Sequence, residues 1–470
     1  MLGLFILLCL FRGGNTPGLI TLVALVSLLT GFLTCLAAAS RRFETQSIPA
    51  AWHLFAAAIV IVALTAAITL IPVQIDTWLS LPGRSIYALA AETLLAPPLS
   101  LDVLAVSIDP AGSRRAVAAM IPVITILVIA LIATRSAWLS ILGTLAVLAI
   151  FEAIIGLLQI GFGNVSILNF DGLSGGRVAK GTFVNRNHYA TLLAMMLPLL
   201  LLRSCGYFAF SLKSRAPSSL SNIWWGFGAA VVAIGLLASI SRAGTLAGAF
   251  ASLVAVLLCA TRKQSFARRL ALMAVAIIVI GLGSVFGLSQ LTAALSASTL
   301  QESVSGRFAM TSVTIAAAMQ LFPLGSGLGT YAIAFQPFQP HTVMGYIEHA
   351  HNEYAQIVFE TGLIGLIALT LLALAFFVTA RRAVQLELTA TSVGPSIGCT
   401  LGCLAFAIHS WFDFPGRIPL TLLAVSMLAC AAIMLSSNNL TRDQETANHR
   451  RRKPVPVAET ALKIASGTET

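Results

Sequence analysis

Three uninterrupted apolar runs, Leu19–Leu36, His53–Ile71 and Ala271–Leu288, constrain this chain more than any other feature. Each reaches the roughly 18–20 residues that a helix needs to cross the hydrocarbon core of a bilayer. In that medium every backbone N–H and C=O must be bonded within the protein, which leaves only helices and closed barrels. Barrel strands would read as short segments of alternating polarity, and these runs are continuous. The fold class is therefore an all-α polytopic membrane protein. Composition agrees, with 58% hydrophobic and only 10% charged residues, against roughly 25% charged in a soluble domain.

Spans are predicted near 17–39, 51–73, 116–134, 137–160, 188–202, 224–241, 244–260, 270–289, 357–379, 395–412 and 418–436. The opening MLGLFILLCLF is short for a full crossing, so 11–12 transmembrane helices are expected. Residues 1–436 form the membrane domain, with a long loop at 290–356 carrying short helices, and residues 437–470 form a basic, disordered tail suited to anionic lipid. The seven cysteines all fall in or beside apolar segments, so no disulfide and no metal site is expected, and Cys399/Cys403 read as helix packing.

The net charge of +11 does not point to nucleic acid. Arg41 and Arg42, Arg135, Arg203, Lys213 and Arg215, the group Arg262 to Arg269, and Arg381 and Arg382 occupy every second connection. The positive-inside rule places these in the cytoplasm; Arg114 and Arg115 are the exception. The other connections then face outward, which for a bacterial inner-membrane protein is the periplasm.

The unusual polar residues sort to that outward side: GGRVAKGTFVNRNHYA (Gly175–Ala190), SISRAG (Ser239–Gly244), SGRF (Ser305–Phe308), PLGSGLGTY (Pro323–Tyr331), EHAHNEY (Glu348–Tyr354) and HSWFDFPGR (His409–Arg417). Six polar clusters on one face imply one shared site. Arg242 sits at a tight outward turn, where a snorkelling anchor is the competing reading. Arg307 opens an apolar segment, Phe308–Phe322, that suits a helix on the membrane surface. Arginine matches phosphate oxygens with a planar fork and stays charged, so these two suit a lipid-linked diphosphate. Lys180, Arg186 and His188 could join the clamp. The glycines Gly325, Gly327 and Gly329 either present N–H groups to an anion or form a plain turn.

His349 and His351 are the candidates for proton transfer, since imidazole titrates near neutral pH. Two residues apart in a helix, they could not both face one substrate, so one would do the chemistry beside Asn352, Glu348 and Glu353. No zinc motif fits their spacing. Glu152 would pair with a neighbouring helix or line a cavity, and Asp413 would orient a site arginine.

GTFVNRNHYA, SISRAG, the SGRF arginine with PLGSGLGTY, and His351-Asn352 followed by Gly362 and Gly365 resemble the O-antigen ligases and O-antigen polymerases of bacterial envelope synthesis. HSWFDFP, the W-x-x-L-P-G loop at Trp78–Gly83 and LSLD at Leu99–Asp102 look more like exopolysaccharide polymerases. The resemblance spans roughly residues 75–436, with a ligase-like core at about 116–436. It implies an inverting glycosyltransferase that needs neither metal nor cofactor, acting at the periplasmic face of the inner membrane. The implied donor is an undecaprenyl-diphosphate-linked glycan, and the acceptor another glycan or lipid A-core. Arg242 and Arg307 would then hold the diphosphate, and His351 rather than His349 would act on the acceptor hydroxyl. The alternative is a transporter or flippase of lipid-linked glycans. Such proteins hold their polar groups near the midplane, whereas here they gather at one mouth.

Overall fold

A computed structural model describes residues 12–14, 16–39, 48–90, 102–161, 178–210, 219–260, 297–341, 343, 345–389 and 394–437. The expected span near 270–289, the opening segment 1–11 and the tail from 438 onward lie outside these residues. The described chain is built from helices α1 (Pro17–Ala39), α2 (Ala50–Ile68), α3 (Ile75–Ser80), α4 (Pro110–Ile132), α5 (Arg135–Gly161), α6 (Arg186–Ser204), α7 (Ser219–Ala238), α8 (Arg242–Ala260), α9 (Ala297–Leu321), α10 (Tyr331–Ala334), α11 (Glu353–Thr389), α12 (Pro395–His409) and α13 (Pro419–Leu435). Two three-residue strands, β1 (Pro72–Gln74) and β2 (Val103–Ala105), pair antiparallel with Val73 opposite Leu104. Among the described residues, six helices are long and apolar enough to cross a membrane. The chain is thus a multi-pass, all-α membrane protein.

The bundle is organised around α6. A helix apolar on all sides must be buried on all sides, and every residue of α6 from His188 to Arg203 is buried. It packs against α12, α7, α8 and α5. In lipid there is little hydrophobic drive between helices, so small residues that admit close backbones hold them together. Gly402 of α12 lies so near Met195 that a Cβ there would fall 2.5 Å from its carbonyl oxygen, and one on Gly248 of α8 would fall 3.2 Å from Ala194 Cα. The other helices pair around this centre, α11 with α2 and α9, and α1 with α4. Their outer faces expose Leu25, Phe32, Phe227 and Leu253, as lipid contact requires.

Two expectations need correction. The span placed at 357–379 is much longer, Glu353–Thr389, and is interrupted at Gly362 (φ 56, ψ −129). Arg307 does not open its helix, because α9 begins ten residues earlier at Ala297. The polar stretch ASTLQESVSG has no apolar stripe to mark it as helical.

Candidate active site

Five of the polar clusters, all but SGRF in α9, meet at one end of the bundle, where α5 ends and α6 begins, α8 and α11 begin, and α12 turns into α13. The opposite end is marked by Arg203, whose guanidinium bonds Asn222 Oδ1 (2.7 Å) and Ser221 Oγ (2.6 Å) at the start of α7.

At the centre of the polar end is the turn carrying Asp413 and Phe414. Asp413 is fully buried, and one carboxylate oxygen lies 3.4 Å from His351 Nδ1 and 3.9 Å from His188 Nε2. The Phe414 ring stacks on His349 (centroids 3.9 Å apart) and meets His188 and His351 edge-on at 4.8 and 5.1 Å. His409 closes the far side through Thr191 Oγ1 at 2.7 Å. Burial pushes Asp413 up, but His351, His188 and His409 outweigh it and hold the carboxyl well below its ordinary range. His349 is pushed down to about 3 by burial, with Arg417, His188 and His351 adding repulsion against the bond to Gln356. It is a neutral ring at any physiological pH.

His349 and His351 lie ahead of α11 rather than in it, so the helical argument that only one can face a common group does not apply: both rings meet Phe414. His351 has left-handed backbone (φ 52), rare for a residue with a side chain. Its neighbours are tied on both sides. Ala350 N–H donates to Gln356 Oε1 (3.1 Å), Glu353 N–H donates to Ser410 O (2.9 Å), and Asn352 caps the helix by accepting from Ala355 N–H (3.1 Å). Ile240, two residues before Arg242, is the other left-handed non-glycine residue among those described.

The glycine loop is fastened to the same cluster. Gly325, Gly327 and Gly329 all have positive φ, as a chain folding tightly on itself requires. The anion this loop receives is the protein's own Glu360: Gly329 N–H (2.9 Å) and Tyr331 N–H (3.3 Å) donate to its carboxylate, and Gly327 N–H donates to its carbonyl at 2.8 Å. Arg417, itself largely buried, bonds the buried carboxylates of Glu360 (2.6 Å) and Glu353 (2.7 Å) with separate nitrogens, forming a triad. On its other side the loop is held by buried Arg84, which donates to Gly325 O (3.1 Å) and Val106 O (2.9 Å) with its guanidinium over Trp78.

Of the expected site residues, the structure brings His188, His349, His351, Asn352 and Asp413 together. Asp413 addresses histidines rather than an arginine. Gly327 is in the fastened loop, with its N–H taken. Lys180 is buried beside the end of α7, where Ala179 N–H donates to Ala238 O (2.9 Å). Glu152 fixes that same loop by accepting from Thr182 N–H (2.9 Å) and Oγ1 (2.7 Å). Arg186 and Arg242 are exposed at the first residues of α6 and α8. Two residues on, Gly244 is so close to His409 that a Cβ would fall 3.2 Å from its ring, so the Arg242 turn adjoins the histidine cluster. Arg307 lies within α9. Sequence reading gave no role to Gln356, Glu360 and Arg84, and held Phe414 and Arg417 only as members of the HSWFDFPGR cluster; the available signal was an amide or charge inside an apolar helix or tight turn.

The fold and this polar end define a helical membrane protein with an imidazole–carboxylate site at one mouth. The chain carries the family domain described as O-Antigen ligase, matched over residues 227–370. That segment contains Arg242, Arg307 and His351, and it bears out the motifs' resemblance to the O-antigen ligase and polymerase family. A glycan ligase or polymerase role follows at that level. No curated protein matches the chain.

Proposed function

We propose that this chain is an inverting, metal-independent glycosyltransferase of the bacterial inner membrane, acting at the periplasmic face. The donor is a glycan on undecaprenyl diphosphate, and the acceptor is a second glycan or lipid A-core. The observation that carries this reading is His351 itself. It lies in the matched segment, in a strained turn that sets Nδ1 3.4 Å from the Asp413 carboxylate. Strained backbone of this kind gathers at functional sites.

With Nδ1 turned to Asp413, Nε2 is the nitrogen left to receive a proton, the tautomer logic of a histidine–carboxylate pair. The acceptor hydroxyl attacks the anomeric carbon from the face opposite the diphosphate. Its proton passes to His351 Nε2 while the glycosyl–phosphate bond breaks and its electron pair leaves with the lipid diphosphate. Arg242, at the N-terminus of α8 where the helix dipole adds positive potential, and Arg307 stabilise that leaving charge.

The test supplies purified protein with a lipid diphosphate-linked glycan, with and without a separate lipid acceptor. Elongation of the donor alone identifies a polymerase; transfer only to the added lipid identifies a ligase. Replacing the base is expected to cost about 10²-fold or more in rate, so His351→Ala, Arg242→Ala and Arg307→Ala should insert normally and transfer little. Parent-rate transfer by His351→Ala refutes the general-base role, and inactivation by a chelator refutes metal independence.

A further inference from the structure

The His351 turn is held from within the protein by a side chain that touches neither the imidazole of His351 nor any exposed surface. Gln356 is 1% exposed and lies in the first turn of α11. Its Oε1 accepts from Ala350 N–H (3.1 Å), while its Nε2 donates to Glu360 Oε1 (3.0 Å) and lies 3.2 Å from His349 Nδ1. Turning the amide over would set N–H against N–H at Ala350 and oxygen against oxygen at Glu360, so its orientation is fixed by chemistry. Glu360 cannot swing away, being held by Gly329 N–H, Tyr331 N–H and Arg417 as well. Left-handed backbone at a residue with a Cβ persists only where its surroundings over-determine it. Upstream of His351 the turn is tied by the Gln356–Ala350 bond; downstream it is tied by Glu353 N–H to Ser410 O.

We propose that Gln356, anchored on the Glu360–Arg417 pair, is the positioning residue that holds the His351 turn and so sets how closely its imidazole meets Asp413. The proposal rests on the reading of His351 as general base. The charged and titratable groups facing His351 are Asp413 from the α12–α13 turn, His188 from α6 and His349 from its own loop, with Arg417 behind His349. Gln356 changes the spacing among these groups without adding or removing a charge.

The experiment measures glycan transfer against the concentration of a lipid diphosphate-linked donor, using the full-length protein and variants at residue 356. Gln356→Met has similar reach, no polar group and no added charge. The expected result for Gln356→Met is a kcat lower by about 10- to 100-fold, on the scale of a misplaced general base, with the donor KM little changed. On an Asp413→Asn background the same substitution lowers kcat no further, the non-additivity of residues acting through one contact. If kcat drops only in proportion to lost folded protein, or the losses from Gln356→Met and Asp413→Asn simply add, Gln356 is merely structural and the proposal is overturned. Parent-like behaviour of Gln356→Met while His351→Ala is inactive also overturns it and leaves the His351 reading standing. Transfer by His351→Ala overturns the reading beneath both. Should Gln356→Met not assemble, Gln356→Asn, whose shorter amide cannot span Ala350 and Glu360, is judged by the same outcomes.

Discussion

Two histidines two residues apart carry opposite properties here, and position rather than residue type separates them. His349 is wedged between Phe414 and Gln356 with Arg417 nearby, so burial and repulsion hold it neutral down to about 3. His351 keeps a partly open ring against Asp413. For His349 the folded-state pKa lies below the unfolded value of about 6.5, so between those limits the unfolded chain binds the extra proton. Its contribution to stability is therefore intact above about 6.5 and declines as pH falls, by about 2 kcal/mol at pH 5. Asp413, whose pKa is likewise lowered, loses its contribution only as pH falls below the ordinary carboxylate value near 3.9. Thermal unfolding in detergent should accordingly show the parent losing stability from pH 7 to pH 5 more steeply than His349→Gln. Equal slopes for the two proteins would mean that His349 is not held neutral by its surroundings.

At the scale of elements, the decisive feature is the break in α11 at Gly362. A Cβ on that glycine would lie 2.1 Å from Pro323 O and 2.9 Å from Gly325 N, and its φ is +56. The helix is therefore interrupted where the glycine loop packs against it, two residues beyond Glu360. Gly362→Ala meets both a left-handed backbone and backbone atoms that cannot move aside. It should destabilise by at least about 2 kcal/mol and lower transfer activity. Gly18→Ala, in α1 with nothing within 4 Å of the new Cβ, should leave the unfolding midpoint within a degree or two. Comparable midpoints for the two variants would show that the crossing is not tight. Sequence made the helices legible because each apolar run is long enough to declare itself, and the polar motifs legible because they interrupt oil. The triad of Glu353, Arg417 and Glu360 was not legible, since its partners are more than fifty residues apart and a carboxylate in an apolar helix does not name its partner. Nor was the turn at His351, because only a small minority of non-glycine residues adopt positive φ and the histidine side chain does not announce it. The glycine loop was read as able to take a foreign anion; only the fold shows Glu360 already in that place.

Across the whole molecule, polarity is divided between two ends. From Leu363, just past the break at Gly362, to Arg381 the α11 helix rises about 27 Å at 1.5 Å per residue, close to the roughly 30 Å hydrocarbon core of a bilayer. Arg381, like Arg203, thus belongs to the basic end, and Tyr346 and Glu348 are exposed at the histidine end. Under the proposed orientation, with the basic connections in the cytoplasm, the histidine end faces the periplasm. In a protein with all seven native cysteines replaced, a new cysteine at Tyr346 should react with a membrane-impermeant maleimide in intact spheroplasts. One at Arg381 should react only after the inner membrane is permeabilised. The reverse pattern would place Asp413 and His351 on the cytoplasmic side, where a periplasmic glycan donor cannot reach them, and the proposed reaction would fail with it.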